Sequence, residues 1–259
     1  MNQAERRLYL IQYLLREQIR YRKPQIPADS EGQQRLLRSL MNVRMPDPIS
    51  EEFLKIQDEY LQERNAERGI TDAESLSPTA SDPRLFVWRG DITTLKCDAI
   101  INACNNQMLG CFSPLHACID NFIHTYAGIQ LRLEMNQIME KQGHLESTGQ
   151  AKITSGYNLP AKYILHTVGP IIRGDVTKED EELLASCYRE CLKLAAEHGV
   201  RSIAFCCLST GVFCFPQQRA AQIAVQTVQE FLDQDRRIEK VIFNVFKQED
   251  DEIYHELLG

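Results

Sequence analysis

Two thiols, an imidazole and a carboxylate lie within ten residues of one another near the middle of the chain. Cys111, His116 and Cys118 are followed two residues later by Asp120. Zn²⁺ prefers soft thiolate and imidazole ligands, and a turn at Pro114 would let all three converge on one ion. Three protein ligands leave a fourth position open, which is typical of catalytic zinc because water or substrate must reach the metal. The pattern predicts a metal loop beside a candidate catalytic acid.

Two other interpretations of the same residues stay open at the level of the sequence. Free cysteine is among the most buried residue types, so Cys111 and Cys118 could be core residues with an unrelated histidine between them. Asp120 stands at the start of a predicted helix, and it could be the N-cap of that helix rather than a catalytic group.

The composition is that of an ordinary globular chain and argues against several classes of function. The 259 residues suffice for one large domain with an extension, and 43% of them are hydrophobic and 25% charged. A net charge of −7 argues against non-specific binding to nucleic acid or anionic membrane, since both require a cationic surface. We expect neither a signal peptide nor a bilayer span, because no apolar run is long and uninterrupted enough. Nine scattered cysteines favour reduced thiols in a cytoplasmic protein.

The N-terminal third of the chain has a purely helical pattern. Residues 1 to about 66 form predicted helices joined by proline-bearing connections, and 67–83 are the best linker candidate. The third helix has Ser50 as a candidate N-cap and an apolar stripe at helical spacing, which consists of Ile49, Phe53, Ile56 and Tyr60. Because such a stripe must pack against something, we expect residues 1–83 to dock on the main domain.

From residue 84 onward, short β-rich runs alternate with helical ones, which predicts an α/β domain over residues 84–259. The run 203–208 is apolar on both faces of a strand, so helices should cover the sheet on each side. The predicted helices lie near 119–142, 179–198, 217–233 and 250–258. The predicted strands are Leu85–Arg89, Ala99–Ala103, Ala151–Ser155, Tyr163–Val168, Ser202–Leu208 and Val241–Phe246.

Three loops that follow predicted strands have residues suited to a nucleotide, and open α/β sheets bind ligands at the carboxyl ends of their strands. An aspartate can accept a hydrogen bond from an exocyclic amine, asparagine amides can reach sugar hydroxyls, and a small-residue turn can aim backbone N–H groups at phosphate. Taken singly, each loop could equally be an ordinary turn or helix cap. The loops are Arg89-Gly90-Asp91-Ile92-Thr93, Asn102-Ala103-Cys104-Asn105-Asn106 and Ser209-Thr210-Gly211-Val212-Phe213.

Taken together and in chain order, these loops resemble the successive signatures of the macrodomain, an ADP-ribose-binding fold. A fourth segment between the asparagine loop and the Ser209 loop belongs to the same resemblance: Ile164-Leu165-His166-Thr167-Val168-Gly169-Pro170. The resemblance implies a three-layer α/β/α architecture with a mixed central sheet, preceded by an N-terminal helical extension. Hydrolytic macrodomains have a run of glycines before the aspartate, and residues 111–118 replace that run here. This departure, and the segment 42–50, resemble the zinc-dependent branch, microbial protein-ADP-ribose hydrolases often encoded beside a specialised sirtuin.

The resemblance also implies a role for each motif residue. Asp91, with Ile92 beside it, is expected to bind the adenine amine, and Phe246 is expected to stack on the adenine ring. Asn105 should face the distal ribose and act as a catalytic residue together with Asp120, which stands at the position of the catalytic aspartate. The diphosphate and ribose loop would consist of Ser209, Thr210, Gly211, Val212 and Phe213, followed by Cys214 where many macrodomains have glycine.

The function implied by the resemblance is zinc-dependent removal of ADP-ribose from mono-ADP-ribosylated protein side chains, acidic ones in particular. The zinc would polarise an oxygen of the distal ribose or its linkage, or it would lower the pKa of a bound water toward ~7. Asp120 would orient or deprotonate the attacking water or a ribose hydroxyl. A lipoyl carrier of the glycine-cleavage H type is one implied substrate, and a sirtuin is an implied functional partner. A non-catalytic ADP-ribose reader and an O-acetyl-ADP-ribose deacetylase stay open as alternatives.

Two histidines are interpreted as structural residues. His166 lies within a predicted strand without a second metal ligand nearby, which favours a hydrogen-bonded core histidine. His124 lies on the helix after Asp120, where packing is the more common role.

Overall fold

The computed structural model describes residues 1–17 and 25–259. Its N-terminal region contains the helices α1 (Gln3–Glu17), α2 (Ser30–Val43) and α3 (Glu51–Glu67). Ser50 caps α3 as predicted, because its side chain accepts a hydrogen bond from the Phe53 N–H. No helix within the described ranges is long and apolar enough to cross a membrane.

The three N-terminal helices share an apolar core of their own. Phe53, Ile56 and Tyr60 of the predicted stripe are buried in it, and Ile49 packs at its edge. Ile129, which lies beyond the extension in the chain, enters the same cluster. The extension therefore buries its apolar face partly on itself and partly on the domain that follows.

The segment predicted as a linker has ordered structure. Its strand β1 (Thr71–Asp72) pairs in parallel with β3 (Leu95–Lys96), and the Ala80 N–H donates to the carbonyl of Gly259. Turn-forming residues predicted an irregular path here, and they could not reveal the pairing because its partner lies about 24 residues further along the chain.

The main domain is built on a six-stranded mixed sheet in the order β2-β8-β7-β4-β6-β5. β5 runs antiparallel to β6, and the other pairings are parallel. Helices flank the sheet, which confirms the predicted three-layer α/β/α fold. The strands are β2 (Leu85–Arg89), β4 (Ala99–Ala103), β5 (Ala151–Ser155), β6 (Tyr163–Thr167), β7 (Ser202–Phe205) and β8 (Lys240–Val245); the helices are α4 (Ile119–Ala127), α5 (Ile129–Gln142), α6 (Lys178–Glu197), α7 (Gln217–Gln234) and α8 (Gln248–Leu258).

Three strands end earlier than their apolar runs predict. β6 ends one residue before Val168, β8 ends one residue before Phe246, and β7 ends at Phe205 rather than at Leu208. After β7 the chain leaves the ladder to form a turn, in which the hydroxyl of Thr210 donates to the carbonyl of Cys207 at 3.0 Å. Leu208 is nevertheless fully buried, so burial continues past the last ladder bond and hydrophobicity overestimates the strand.

The predicted helix over 119–142 is interrupted and forms α4 and α5. Gly128 separates them with φ of +105°, a conformation that residues with a side chain rarely adopt. The N–H of Ile129, at the start of α5, donates to the side-chain oxygen of the buried Gln57 from α3 at 2.9 Å. Apolar periodicity continues on both sides of the glycine, which is why the pattern alone predicted one helix.

Candidate active site

Four of the predicted site segments lie at one edge of the sheet. Asp91 follows β2, Phe246 follows β8, Ser209 follows β7 and Asn105 follows β4, and these four parallel strands are neighbours in that order. At about 4.8 Å between strands, the four strand ends span about 14 Å. This edge can hold an extended ligand that crosses the strand ends from Asp91 to Asn105.

At the ends of β2 and β8, Phe246 offers an aromatic face and Asp91 a carboxylate. Phe246 is 76% exposed, which is unusual for a phenylalanine and leaves its ring open for stacking. The Oδ1 atom of Asp91 accepts hydrogen bonds from the N–H and hydroxyl of Thr93, at 2.9 and 2.6 Å. The Oδ2 atom is ion-paired with Arg68, the C-cap residue of α3. Asp91 is therefore a turn cap, as one reading of the sequence allowed, and Ile92 is buried beside it.

The loop after β7 is shaped by two residues with left-handed backbone conformations. Ser209 has φ of +62° and Cys214 has φ of +58°, so Cys214 keeps the conformation that glycine favours. The Ser209 side chain lies against Gly169, where an added Cβ would come within 2.0 Å of the Ser209 Oγ. The Ser209 hydroxyl is buried and has no hydrogen-bond partner within the described ranges. Val212, at the tip of the loop, is 70% exposed.

The three predicted metal ligands converge in space. Their ligand atoms all lie within 4.8 Å of one another, and the Cys111 Sγ and His116 Nδ1 atoms are 3.6 Å apart. Tetrahedral zinc with sulfur at about 2.3 Å and nitrogen at about 2.1 Å separates two such atoms by about 3.6 Å. Neither Cys111 nor Cys118 is buried, so the interpretation of these cysteines as core residues is wrong. The donor set fits zinc in both chemistry and spacing.

Cys118, rather than Asp120, caps helix α4. Its Sγ accepts a hydrogen bond from the Asn121 N–H at 3.4 Å. The alternative role of Asp120 as the N-cap is therefore wrong. Partial burial raises the pKa of the Cys118 thiol to about 12.

Asp120 heads a buried polar chain that runs into the sheet. Its Oδ1 accepts a hydrogen bond from the Asn102 side chain at 2.8 Å, and burial raises the pKa of Asp120 to about 6. The same Asn102 nitrogen lies 3.1 Å from His166 Nδ1, and His166 Nε2 lies 2.9 Å from the Thr154 hydroxyl. His166 is thus a hydrogen-bonded core histidine as predicted, and burial lowers its pKa to about 3.

His124 is enclosed between Asp120 and the metal loop. Its Nε2 is 3.6 Å from the Asp120 Oδ1, and neither ring nitrogen has a hydrogen-bond partner within the described ranges. A Cβ added at Gly110 would come within 2.8 Å of the imidazole ring. The ring therefore packs directly against the backbone of the loop, in agreement with the predicted packing role.

Asn105 holds the turn that leads into the metal loop. Its Oδ1 accepts a hydrogen bond from the Gln107 N–H at 2.9 Å, and its Nδ2 donates to the Gly110 carbonyl at 3.4 Å. This is the turn-forming role that the sequence left open for asparagines after strands. The bond to Gly110 also ties Asn105 to the residue that directly precedes Cys111.

Comparison with known proteins assigns this arrangement to a family. The macro domain profile matches residues 101–224. A curated relative from Treponema medium, named protein-ADP-ribose hydrolase, is 56% identical over the full length of both chains. The chain belongs to the macrodomain family. A relative of the same name from Staphylococcus aureus is 49% identical and covers 95% of this macrodomain chain and 94% of its own length.

Solved macrodomain structures share the fold. The Trypanosoma brucei macrodomain in complex with ADP-ribose has a TM-score of 0.67 and 30% identity, over 85% of this chain and 95% of its own. The Oceanobacillus iheyensis macrodomain with ADP has a TM-score of 0.60 and 37% identity, over 66% and 88%. Since residues 84–259 make up about two thirds of the chain, the trypanosomal likeness extends into the helical extension.

Some residues of the macrodomain site were not singled out in the sequence. Asn102 was read only as part of an asparagine loop. The available signal was its place in a strand whose first three residues are apolar and buried on both faces, which predicts a buried side chain at Asn102 as well. Nothing in the sequence marked Arg68 or Asn121 as part of the site. The partner of Arg68 is Asp91, which is distant in the chain, and the Asn121 side chain donates to a backbone carbonyl, which any sequence provides.

Proposed function

We propose that this macrodomain is a zinc-dependent hydrolase that removes ADP-ribose from mono-ADP-ribosylated protein side chains. One observation carries the proposal: three ligand atoms of zinc-binding type lie within 4.8 Å of one another in the loop that leads into α4, the helix that contains Asp120. Cys111, His116 and Cys118 would hold the ion. The curated relatives named protein-ADP-ribose hydrolase, which match nearly the whole chain, support the reaction.

ADP-ribose would lie across the strand ends with its adenine over β2 and β8. Phe246 stacks on the adenine ring, and the Asp91 carboxylate accepts a hydrogen bond from the adenine amine. The loop from Ser209 to Phe213 takes the diphosphate on its backbone N–H groups, which needs no lysine. Asn105 then faces the distal ribose, which carries the modified side chain.

The reaction is hydrolysis of the bond between the distal ribose and the protein side chain. When bound, zinc supplies Lewis-acid chemistry, either on an oxygen of the ribose or linkage or on a water molecule. The Asn102 hydrogen bond fixes the Asp120 carboxylate through Oδ1, while Oδ2 has no hydrogen-bond donor within residues 1–17 and 25–259. Asp120 uses this second oxygen to orient or deprotonate the attacking water or a ribose hydroxyl, and the products are ADP-ribose and the unmodified side chain.

The finer parts of the proposal rest on the family resemblance. The linkage is an ester to an acidic side chain, and a lipoyl carrier of the glycine-cleavage H type is one substrate. A sirtuin is a functional partner. The cytoplasmic location is proposed instead from the nine scattered cysteines, which favour reduced thiols. Release of ADP-ribose from carriers modified on glutamate, arginine or serine, compared side by side, tests the linkage. Preference for glutamate supports it and equal or greater release from arginine overturns it.

Replacement of Asp120 tests the catalytic assignment. Asp120→Asn keeps an oxygen that can accept the Asn102 hydrogen bond but removes the base. We expect single-turnover release of ADP-ribose from a modified protein to fall by about 10²–10⁴-fold, with zinc content and ADP-ribose affinity retained.

The same experiment separates an enzyme from a reader. A wild-type protein that binds ADP-ribose and zinc but releases no ADP-ribose from modified protein is a reader, and this result would refute the proposed function. Unchanged release by Asp120→Asn would refute only the role of Asp120.

A further inference from the structure

Helix α2 of the extension reaches the backbone of the metal loop through Arg38. The Nη2 atom of Arg38 donates to the carbonyl of His116 at 2.8 Å and to the Asn121 Oδ1 at 2.7 Å, and its Nε donates to the same oxygen at 3.2 Å. The guanidinium carbon also lies 4.2 Å from the centre of the Phe122 ring. One face of the guanidinium and the edge formed by Nε and Nη2 are thus engaged, which directs the Nη2 donor at the His116 carbonyl.

Asn121, which is held by Arg38, hydrogen-bonds to both cysteines of the proposed zinc site. Its side-chain nitrogen donates to the carbonyls of Cys111 at 3.4 Å and Ser113 at 3.0 Å, and its backbone N–H donates to the Cys118 Sγ at 3.4 Å. Asn121 is fully buried, and its amide oxygen is taken by Arg38. All three proposed zinc ligands are therefore linked to one Arg38–Asn121 pair.

Asn42, one turn after Arg38 on α2, holds the strained part of the same loop. Leu115 has φ of +59°, a conformation that costs about 1 kcal/mol or more for a residue with a side chain. The Leu115 N–H donates to the Asn42 Oδ1 at 3.0 Å, while the Asn42 Nδ2 donates to the Thr125 hydroxyl at 3.1 Å. This conformation directly precedes His116, so the bond from α2 stabilises the backbone that presents the imidazole.

We propose that Arg38 and Asn42 are positioning residues for the zinc ligands, and that the N-terminal extension is thereby part of the metal site. The inference rests on the proposed zinc site. Groups that orient metal ligands from outside are worth about 10–100-fold in metal affinity when removed. Here that orientation comes from a helix about 80 residues away in the chain, and it acts on the backbone of the ligands.

Two matched pairs of variants test the proposal. Arg38→Ala is compared with Arg35→Ala, which removes an exposed arginine of the same helix that has no hydrogen bond or ion pair within the described ranges. Asn42→Leu is compared with Thr125→Val, which leaves the bond to Leu115 and removes two others: the other hydrogen bond of Asn42, and the bond from the Thr125 hydroxyl to the backbone carbonyl of Asn121 at 2.7 Å. Zinc affinity is measured on purified full-length protein by competition with a chelating dye, and the melting temperature of the metal-free protein is measured in parallel.

We expect Arg38→Ala and Asn42→Leu to weaken zinc binding by about 10–100-fold, with both controls at the wild-type affinity. The absorption bands of the Co²⁺-substituted protein should change in the first two variants, because the ligand geometry changes. A role in stability alone predicts a lower melting temperature with zinc affinity and cobalt bands unchanged, and that result would overturn the inference.

The remaining outcomes also decide the matter. If Arg38→Ala does not fold, the pair Asn42→Leu and Thr125→Val gives the answer by the same criterion. A wild-type protein that binds no zinc refutes the proposed function itself. Wild-type protein that binds zinc, with Arg38→Ala and Asn42→Leu binding it equally well, refutes only the positioning role.

Discussion

At the scale of single residues, Asp91 shows why a motif role and a structural role need not exclude each other. Its carboxylate caps the turn through Thr93 and pairs with Arg68, yet two oxygens together offer about four acceptor positions. The guanidinium of Arg68 lies 3.5 Å from the centre of the ring of Tyr126 on α4, so an aromatic side chain of the main domain holds this arginine against Asp91. An adenine amine can therefore be added to the existing partners of Asp91.

Substitution at this pair separates direct binding from support. Asp91→Ala should weaken ADP-ribose binding by about 1–3 kcal/mol, the usual range for losing a charge-assisted hydrogen bond. Arg68→Ala leaves the carboxylate and its turn cap in place and should therefore weaken binding less. Titration calorimetry measures both. Wild-type affinity of Asp91→Ala, or a larger loss in Arg68→Ala, would remove Asp91 from the adenine site.

His166 predicts a pH dependence of stability. Burial lowers its pKa to about 3 in the folded protein, against about 6.5 when unfolded, so only the unfolded chain takes up this proton between those values. Stability is therefore lost as the pH falls below about 6.5, and His166 contributes a loss of about 2 kcal/mol between pH 7 and pH 5.

Urea unfolding at pH 7 and pH 5 checks this value. His166→Gln should show a decrease in unfolding free energy smaller than that of the wild type by about 2 kcal/mol. His198→Gln, which replaces an exposed histidine, is the matched control and should keep the wild-type dependence. Equal pH dependence in His166→Gln and wild type would show that His166 titrates normally in the fold.

At the scale of elements, the loop after β7 depends on a close approach between two neighbouring loops. Gly169→Ala would place a Cβ 2.0 Å from the Ser209 Oγ, so the serine and its loop must move. We expect a loss of about 1–3 kcal/mol of stability from this overpacking, together with weaker ADP-ribose binding.

A second substitution should restore the loop. Ser209→Gly removes the hydroxyl, and glycine favours the φ of +62° found there. The double variant Gly169→Ala with Ser209→Gly should therefore recover much of the lost stability and affinity, which a double-mutant cycle measures as coupling. If the losses of stability and affinity in the two single variants simply add in the double variant, the contact between residues 169 and 209 does not determine the loop conformation.

The elements themselves were largely predictable from the sequence, and their ends less so. β2, β4 and β5 have the predicted bounds because apolar runs and turn residues coincide there. The break at Gly128 was missed because apolar periodicity continues on both sides of the glycine, and because the Gln57 side chain that accepts from the Ile129 N–H belongs to another helix. The extra length predicted for β7 reflects burial of Leu208 outside the ladder.

At the scale of the whole molecule, the extension and the main domain meet at the candidate site. Arg38 and Asn42 contact the metal loop, and Arg68 contacts Asp91, so α2 and α3 reach opposite ends of the proposed ligand path. The sequence pointed to the three proposed zinc ligands because they are close together in the chain. It could not predict their support, because Arg38 and Asn121 are 83 residues apart and neither belongs to a motif.

The central claim is that this macrodomain needs zinc on Cys111, His116 and Cys118 to release ADP-ribose from protein. The most direct measurement is to strip the wild-type protein with a chelator and titrate zinc back while ADP-ribose release from a mono-ADP-ribosylated protein is followed. The account predicts that release is lost on stripping and returns in proportion to added zinc until one ion is bound per chain. Full activity of the stripped protein, with zinc shown to be absent, would contradict it.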